Sequence, residues 1–475
     1  MLIGNEAQRR GTIMTIAEQL GTGGSLLWGA PMLGLLLGTG IFLTVRTRFL
    51  AWRNLGAALR LLTGPQARET SRSGISPLSA LMTALASTIG TGNIVGVATA
   101  LTAGGPGALV WMEISALFGL TTKFAECMLA VKFRRPGEAS GGPMVVMARA
   151  IRPRAAGRAL GGVFAFFTVL ASFGIGDMTQ SNSIATALSA AFGTPVHAAG
   201  LAVAALSLLV TLGGIRRISR VSSVLVPVMA GGYLLVGLAV IAGNWRRLPR
   251  ALLAMLACAL SPRAFAGGAA GAAVRYGVSR GVFSNEAGMG SAAITAAAAG
   301  GGRPAFHGYV NMTGTFFDTM IVCTITGLAI CCSGVLGTPD PLTGRPLDGA
   351  ALTIAAFETV LGPAAGALIA LGIVLFAFSS ILGWAYQGET ALRYLTGGRA
   401  VPLYRLLFTL GAYAGAVGRL ETVFSLSDLC NGLMALPNLV CLLLLSGTVA
   451  REMAAFQPEL ERQTPRRGRK RVQTL

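Results

Sequence analysis

Charge is scarce in this sequence. Only 12% of its 475 residues are Asp, Glu, Lys or Arg, where an ordinary soluble domain carries about 25%. So little charge excludes a disordered chain or a coiled coil and argues against a soluble enzyme. Lysine occurs three times, as Lys123, Lys132 and Lys470, among 38 basic residues. Histidine occurs twice, as His197 and His307, too rarely for an imidazole-bound metal or haem. The seven cysteines are odd in number, contain no C-x-x-C and place Cys331 next to Cys332, so they make neither a disulfide framework nor a zinc site. No G-x-x-x-x-G-K-[ST] loop is present to cradle phosphates, and no soluble stretch is long enough for an ATPase domain. There is no H-E-x-x-H and no Ser–His–Asp set to support an intramembrane enzyme. No cofactor is implied.

What the sequence has is apolar length. Hydrophobic residues make up 53% of it, with 65 Gly besides. Eleven apolar stretches run over 25–45, 78–102, 108–131, 160–190, 197–214, 220–243, 270–300, 308–334, 364–390, 402–418 and 424–447. Each approaches or exceeds the roughly 20 residues a helix needs to cross a bilayer. The first is too long for a signal-peptide core and no small-residue cleavage site follows it, so it is expected to be retained. The reading is an all-α polytopic membrane protein with 11 transmembrane helices.

The net charge of +20 would suggest nucleic acid in a soluble protein. Here the basic residues lie between apolar spans and do not interleave with aromatics, so no nucleic-acid partner is expected. The segments 46–77, 132–158, 214–220 and 391–405, Arg303 and the tail from Arg451 hold 27 of the 38 basic residues. They alternate onto one side, which the positive-inside rule makes cytoplasmic, leaving the N-terminus outside and the C-terminus inside. Arg246, Arg247, Arg250 and Arg263 fall on the outer side by parity. There 251–260 reads as an interfacial helix beside which Arg can snorkel. The basic run 466–471 is either an anionic-lipid contact or a solvated end.

Two stretches are interrupted. In the second, Ser87, Thr88, Gly90, Thr91, Gly92 and Asn93 break the apolar run; in the seventh, Ser284, Asn285, Glu286, Gly288, Gly290 and Ser291 do so. Irregular backbone at that depth is tolerated only where it is buried or lines a cavity. Each interruption opens a set of five spans. Five is odd, so the second set enters from the opposite side, giving an inverted repeat of 78–243 against 270–447. The remainder is an N-terminal segment 1–77 with the first span, an extracellular interfacial loop 244–269 and a basic cytoplasmic tail 448–475. Paired broken helices in such repeats mark a substrate site near the midplane. Half-helix N-termini offer N–H groups to a carboxylate, and unwound carbonyls offer oxygen to a cation. One Gly-x-Gly alone is equally explained by close helix packing; two breaks carrying this many polar side chains are costly as filler.

Motifs spread over nearly the whole chain sharpen this. They are T-I-G-T-G-N-I-V-G-V-A-T-A at 88–100, T-K-F-A-E at 122–126, G-G-P-M at 141–144 and G-D-M-T-Q-S-N-S-I at 176–184. R-G-V-F-S-N-E-A-G at 280–288, D-T-M-I-V-C-T at 318–324, Gly383 with Trp384, and Gly388 with Glu389 complete the set. Together and in this order they resemble the alanine/glycine:cation symporter family of bacteria and archaea. The resemblance implies sodium- or proton-driven uptake of small neutral amino acids by alternating access, across the bacterial cytoplasmic (inner) membrane. It also implies the five-plus-five inverted-repeat fold of a bacterial leucine transporter with one extra N-terminal helix, and a monomer is expected. A channel, the alternative, would want rings of like residues from symmetric subunits.

The resemblance also implies roles. The backbone at Thr91, Gly92 and Asn93 would hold the substrate carboxylate, the Asn93 side chain supporting substrate or cation, or else capping a helix. Gln180 suits a zwitterion, or makes an interhelical hydrogen bond. Phe283 and Trp384 would wall a pocket small enough for glycine and alanine, or pack the core. Ser379 and Ser380 would join the carbonyls of Ala86 and Ile89 around one sodium ion, Ser380 also touching substrate, or bond back to their own helix. A second cation site would use the Thr88 carbonyl, Asn93, Ser284 and Asp318. Arg280 reads as an external gate, and Glu286 and Asp318 as gate or coupling residues or structural counter-ions. Lys123 and Glu126, three apart on one helix face, are expected to pair. Asp177 stands where the family pattern has Asn; it either makes coupling pH-dependent, alters substrate choice, or is paired and silent.

Overall fold

The structure is a computed structural model that describes residues 27–70, 75–135, 138, 141–261, 271–299, 302–341, 344–418 and 421–463. Residues 25 and 26 of the first expected span, Arg263 and the basic run 466–471 lie outside the described residues. In chain order the main elements are α1 (Ala30–Arg46), α2 (Pro77–Thr88), α3 (Val95–Gly104), α4 (Gly107–Phe133), α5 (Pro143–Ala150) and α6 (Arg154–Phe192). They continue with α7 (Val196–Thr211), α8 (Gly214–Gly243), α9 (Leu248–Leu260), α10 (Ala272–Asn285), α11 (Ser291–Ala296) and α12 (Pro304–Ser333). Last come α13 (Gly349–Leu361), α14 (Ala364–Thr396), α15 (Val401–Val417), α16 (Glu421–Leu444) and α17 (Ser446–Gln463).

Among the described residues α4, α6, α8, α12, α14 and the Ser425–Leu444 part of α16 are long and apolar enough to cross a membrane. Helices α1, α3, α7, α13 and α15 are shorter and apolar. The protein is a multi-pass membrane protein, and its outer surface agrees. Val224, Val228, Leu235 and Leu238 of α8 and Leu206 and Leu209 of α7 are each more than half exposed, an apolar surface that water does not tolerate at this extent.

Local chemistry sets the boundaries. Ser76 caps α2, its hydroxyl accepting from the Ser79 N–H at 3.1 Å, with Pro77 in the first turn. Pro304 likewise occupies the first turn of α12, without a side-chain cap. Helices α6 and α12 each contain a π-helical stretch, Gly174–Met178 and Phe316–Cys323, and each stretch holds one fully buried acid, Asp177 or Asp318. Such insertions concentrate at functional sites.

Small residues bring the helices together, as in other membrane interiors. Helix α4 lies against both α10 and α12. Gly277 and Gly281 of α10 face it, where a side chain would meet the Ala108 carbonyl or, at 2.6 Å, the Ser115 hydroxyl. Helix α6 packs on α14 and α16, and α7 on α15.

Three elements depart from the expected layout. Helix α5 has only eight residues and follows Gly142 at φ 121°, and α13 spans 13; neither is long enough to register as a span. Helix α17 occupies most of the segment expected as a basic tail. Its Val449, Met453, Phe456 and Leu460 are buried at helical spacing, and Lys132–Glu452 at 2.6 Å and Arg303–Glu459 at 3.0 Å tie it to α4 and to the residue before α12. A helix is present over the stretch expected at 251–260, as α9, starting three residues earlier.

Candidate binding site at two helix breaks

The first break begins where the α2 ladder fails. In a continuous helix the Gly90 N–H would close on the Ala86 carbonyl. Here Gly90 is extended, at φ −133° and ψ −157°, and its N–H donates to Asn93 Oδ1 at 2.9 Å. The Asn93 N–H donates to Gly90 O at 3.2 Å and leaves Ile89 O outside the ladder. Two carbonyls are thereby released, and α14 meets them. Ser379 Oγ lies 3.1 Å from Ala86 O, 3.4 Å from Ile89 O and 2.8 Å from Phe376 O on its own helix. All three candidates, Ala86, Ile89 and Ser379, are buried. Ser380 Oγ donates back to Phe376 O at 3.1 Å. It also faces Gly90 so closely that a Cβ there would sit 2.5 Å from it.

The same glycine position is 3.8 Å from Gln180 Oε1. Gln180 accepts from Thr91 Oγ1 at 3.3 Å and donates from Nε2 to Ile175 O at 3.0 Å, across the π-helical stretch of α6. Thr91, Gln180 and Ser380 thus gather around Gly90. Gly92 lies against Phe283 and Ser284, each 3.7 Å from where its Cβ would be. Trp384, one turn beyond Ser380, is seated on Gly176 and reaches the Glu286 carboxyl.

The second break runs from Glu286, at φ 54°, through Gly288 at 97° to Gly290 at 80°. Left-handed backbone at a Glu is strained, and the neighbours hold it. The Ser291 hydroxyl donates to Glu286 Oε2, and the Gly290 N–H donates to Glu126 Oε1 at 3.0 Å. Asn438 of α16 donates both to that oxygen at 2.6 Å and to Gly288 O at 3.0 Å.

Asp318 joins the two breaks. Its Oδ1 accepts from Asn93 Nδ2 at 2.9 Å; its Oδ2 accepts from Ser284 Oγ at 2.8 Å and Thr319 Oγ1 at 2.9 Å. Asn93, Ser284 and Asp318 form one fully buried cluster, with Cys323 Sγ at 3.3 Å from both Asn93 Nδ2 and Ser284 Oγ. Thr88 ends α2, its hydroxyl turned back to Leu85 O at 3.4 Å. Arg280 lies with its guanidinium carbon 5.5 Å from the Phe283 ring centroid and within electrostatic reach of Asp428 on α16.

Two readings change. Lys123 and Glu126 do not pair: Glu126 Oε1 is held by Gly290 and Asn438, and Lys123 Nζ has no hydrogen-bond partner. Asp177 is not paired either; both carboxyl oxygens lack a donor, and one faces Gly411, 2.7 Å from where its Cβ would be. Cys323, Thr319 and Asn438 join the site without an expected role there. A polar Asn438 inside the apolar stretch 424–447 was a readable signal. At the Arg-rich end of the bundle a cavity of about 380 Å³ is lined by Arg134, Glu138, Arg216, Tyr386, Glu389 and Arg393. The Arg149 hydrogen bonds to Glu138 hold that carboxyl below its usual range.

This arrangement, polar groups from two broken helices buried inside a helical bundle, is that of a membrane transporter with a leucine-transporter-like fold. The crystal structure of MhsT in complex with L-phenylalanine superposes with a TM-score of 0.52 at 15% identity, covering 83% of this chain and 92% of that one. The profile of the sodium:alanine symporter family matches residues 14–470, and the chain belongs to that family. The sodium/alanine symporter AgcS of Methanococcus maripaludis is 46% identical over 446 residues, 93% of this chain and 98% of that protein. The amino-acid carrier protein AlsT of Bacillus subtilis is 36% identical over 416 residues, 87% and 86% of the respective chains. The protein is a transporter and not an enzyme.

Proposed function

We propose that this protein is a sodium-coupled symporter that carries a small neutral amino acid, alanine or glycine, into the cell by alternating access. The observation that carries the reading is the meeting of Ser379 Oγ with the released carbonyls of Ala86 and Ile89. Neutral oxygens converging in a buried pocket suit a hard monovalent cation. Thr91, Gln180 and Ser380 around Gly90, with the backbone of Gly92, bind the substrate. Phe283 and Trp384 limit its size. Asn93, Ser284 and Asp318, with the Thr88 carbonyl, make a second cation position. Arg280 with Asp428 forms the outer gate, Glu286 steadies the second break, and the Arg-rich cavity is the cytoplasmic exit.

The order of elements supports eleven crossings in an inverted repeat. A broken helix, a long helix, a short helix, then a long, a medium and a long helix occur twice, as α2/α3 to α8 and as α10/α11 to α16. Helix α1 is the extra crossing, with the N-terminus outside and the C-terminus cytoplasmic, and the unit works as a monomer in the cytoplasmic membrane.

Equilibrium binding of labelled alanine to the purified protein tests this. Binding in sodium that is lost in choline, and lost in sodium on Gln180→Ala, is the expected outcome. Binding indifferent to sodium but strengthened at low pH would move the coupling ion to a proton, with unpartnered Asp177 the first candidate for it.

A further inference from the structure

Sodium symport at the two breaks gives no role to a buried cation beside the second break. Lys123 on α4 is 2% exposed and its Nζ has no hydrogen-bond partner. An ammonium held inside a membrane protein is costly unless something anionic balances it. The face that carries Lys123 is pressed onto the second break. One turn before it, the Cβ position of Gly119 lies 3.1 Å from Ala287 Cβ and 3.9 Å from Asn285 Oδ1. Less than a turn after it, Glu126 accepts the Gly290 N–H. Between these contacts Lys123 is within electrostatic reach of Glu126, Glu286 and Asp318, yet closes on none of them. Each of those carboxylates already has fixed hydrogen-bond donors from its neighbours. A long side chain with a compact charge and no fixed hydrogen-bond partner can balance any of them.

We propose that Lys123 is a tethered internal cation that balances the carboxylates of the second break after the transported cation has left, so that the empty carrier can return. This rests on the symport reading above. The loaded carrier brings its own positive charge to the site and crosses without Lys123. The empty carrier does not, and without the ammonium it retains uncompensated buried negative charge. Lys123 is therefore a positioning residue for the return step, with no contact to substrate.

The two halves of the cycle are separable. Net uptake of labelled alanine into proteoliposomes needs the empty return; alanine–alanine exchange with sodium on both sides does not. Lys123→Met is expected to lower net uptake by about tenfold or more, since one buried charge is left unbalanced, and to leave exchange within about threefold of the parent. Retained exchange also shows that the variant is folded. Adding Glu286→Gln to Lys123→Met removes the matching negative charge and is expected to restore most of the net uptake. Unchanged net uptake in Lys123→Met overturns the proposal. So does an equal loss of uptake and exchange that the second substitution does not repair, which marks a packing role. Parent uptake and exchange that ignore sodium would instead sink the symport reading, and that outcome is seen without any variant.

Discussion

Ser379 illustrates how much of the chemistry resides in single atoms. Its hydroxyl is the side-chain oxygen that meets both Ala86 O and Ile89 O; Ala86 O is available because Asn93 Oδ1 takes the Gly90 N–H, and Ile89 O because the Asn93 N–H turns to Gly90 O. Ser379→Ala is expected to raise half-saturating sodium for alanine uptake about tenfold, the equivalent of losing roughly 1.4 kcal/mol of binding. An unchanged sodium dependence in this variant would contradict the assignment. At this scale the sequence was informative where function breaks a local rule. Gly90 and Asn93 in an apolar run announce a disrupted ladder, and a disrupted ladder implies free carbonyls. The partners of those groups were not legible without the resemblance, since Ser379 lies 293 residues from Ala86. The expected Lys123–Glu126 pair failed for a related reason. Helical spacing gives proximity on one helix, but it cannot show that Gly290 and Asn438 already occupy the carboxylate.

Elements show a different division. Long apolar stretches predicted α4, α6, α8, α12 and α14 well, because length and hydropathy alone decide whether a helix can cross. The π-helical stretches around Asp177 and Asp318 carry no comparable signal; an extra residue in a helix is set by what packs against it. Helix α17 was readable and was passed over. Its apolar residues recur at helical spacing among charges, so its stability should come from burial and less from its ion pairs. Phe456 is fully buried, whereas Glu452 and Glu459 pair at partly exposed positions. Phe456→Ala is expected to cost about 3 kcal/mol or more, and Glu452→Gln or Glu459→Gln no more than about 1 kcal/mol each. Thermal denaturation in detergent ranks the three. A larger loss from either glutamine variant would show that charge holds this helix in place.

For the whole molecule, the two breaks are the organising fact. Each is bound into the rest of the bundle by side chains from other helices, the first through Ser379 and Gln180, the second through Glu126 and Asn438, and the two are joined through Asp318. Ligands at such a junction touch several helices at once. A cation and a substrate bound there bias the same packing arrangement, which is the physical requirement for coupling their movements. Net charge and loop composition speak only to orientation, while the paired interruptions in the second and seventh apolar stretches point to transport from the sequence alone.

The most direct test is accumulation. Proteoliposomes carrying the full chain are given labelled alanine with an inward sodium gradient, with an inward proton gradient, or with neither. The account predicts that alanine rises above its external concentration only under the sodium gradient and falls back when that gradient is collapsed. Equilibration to the external level in every condition, with the protein folded, would describe a passive pore and would contradict it.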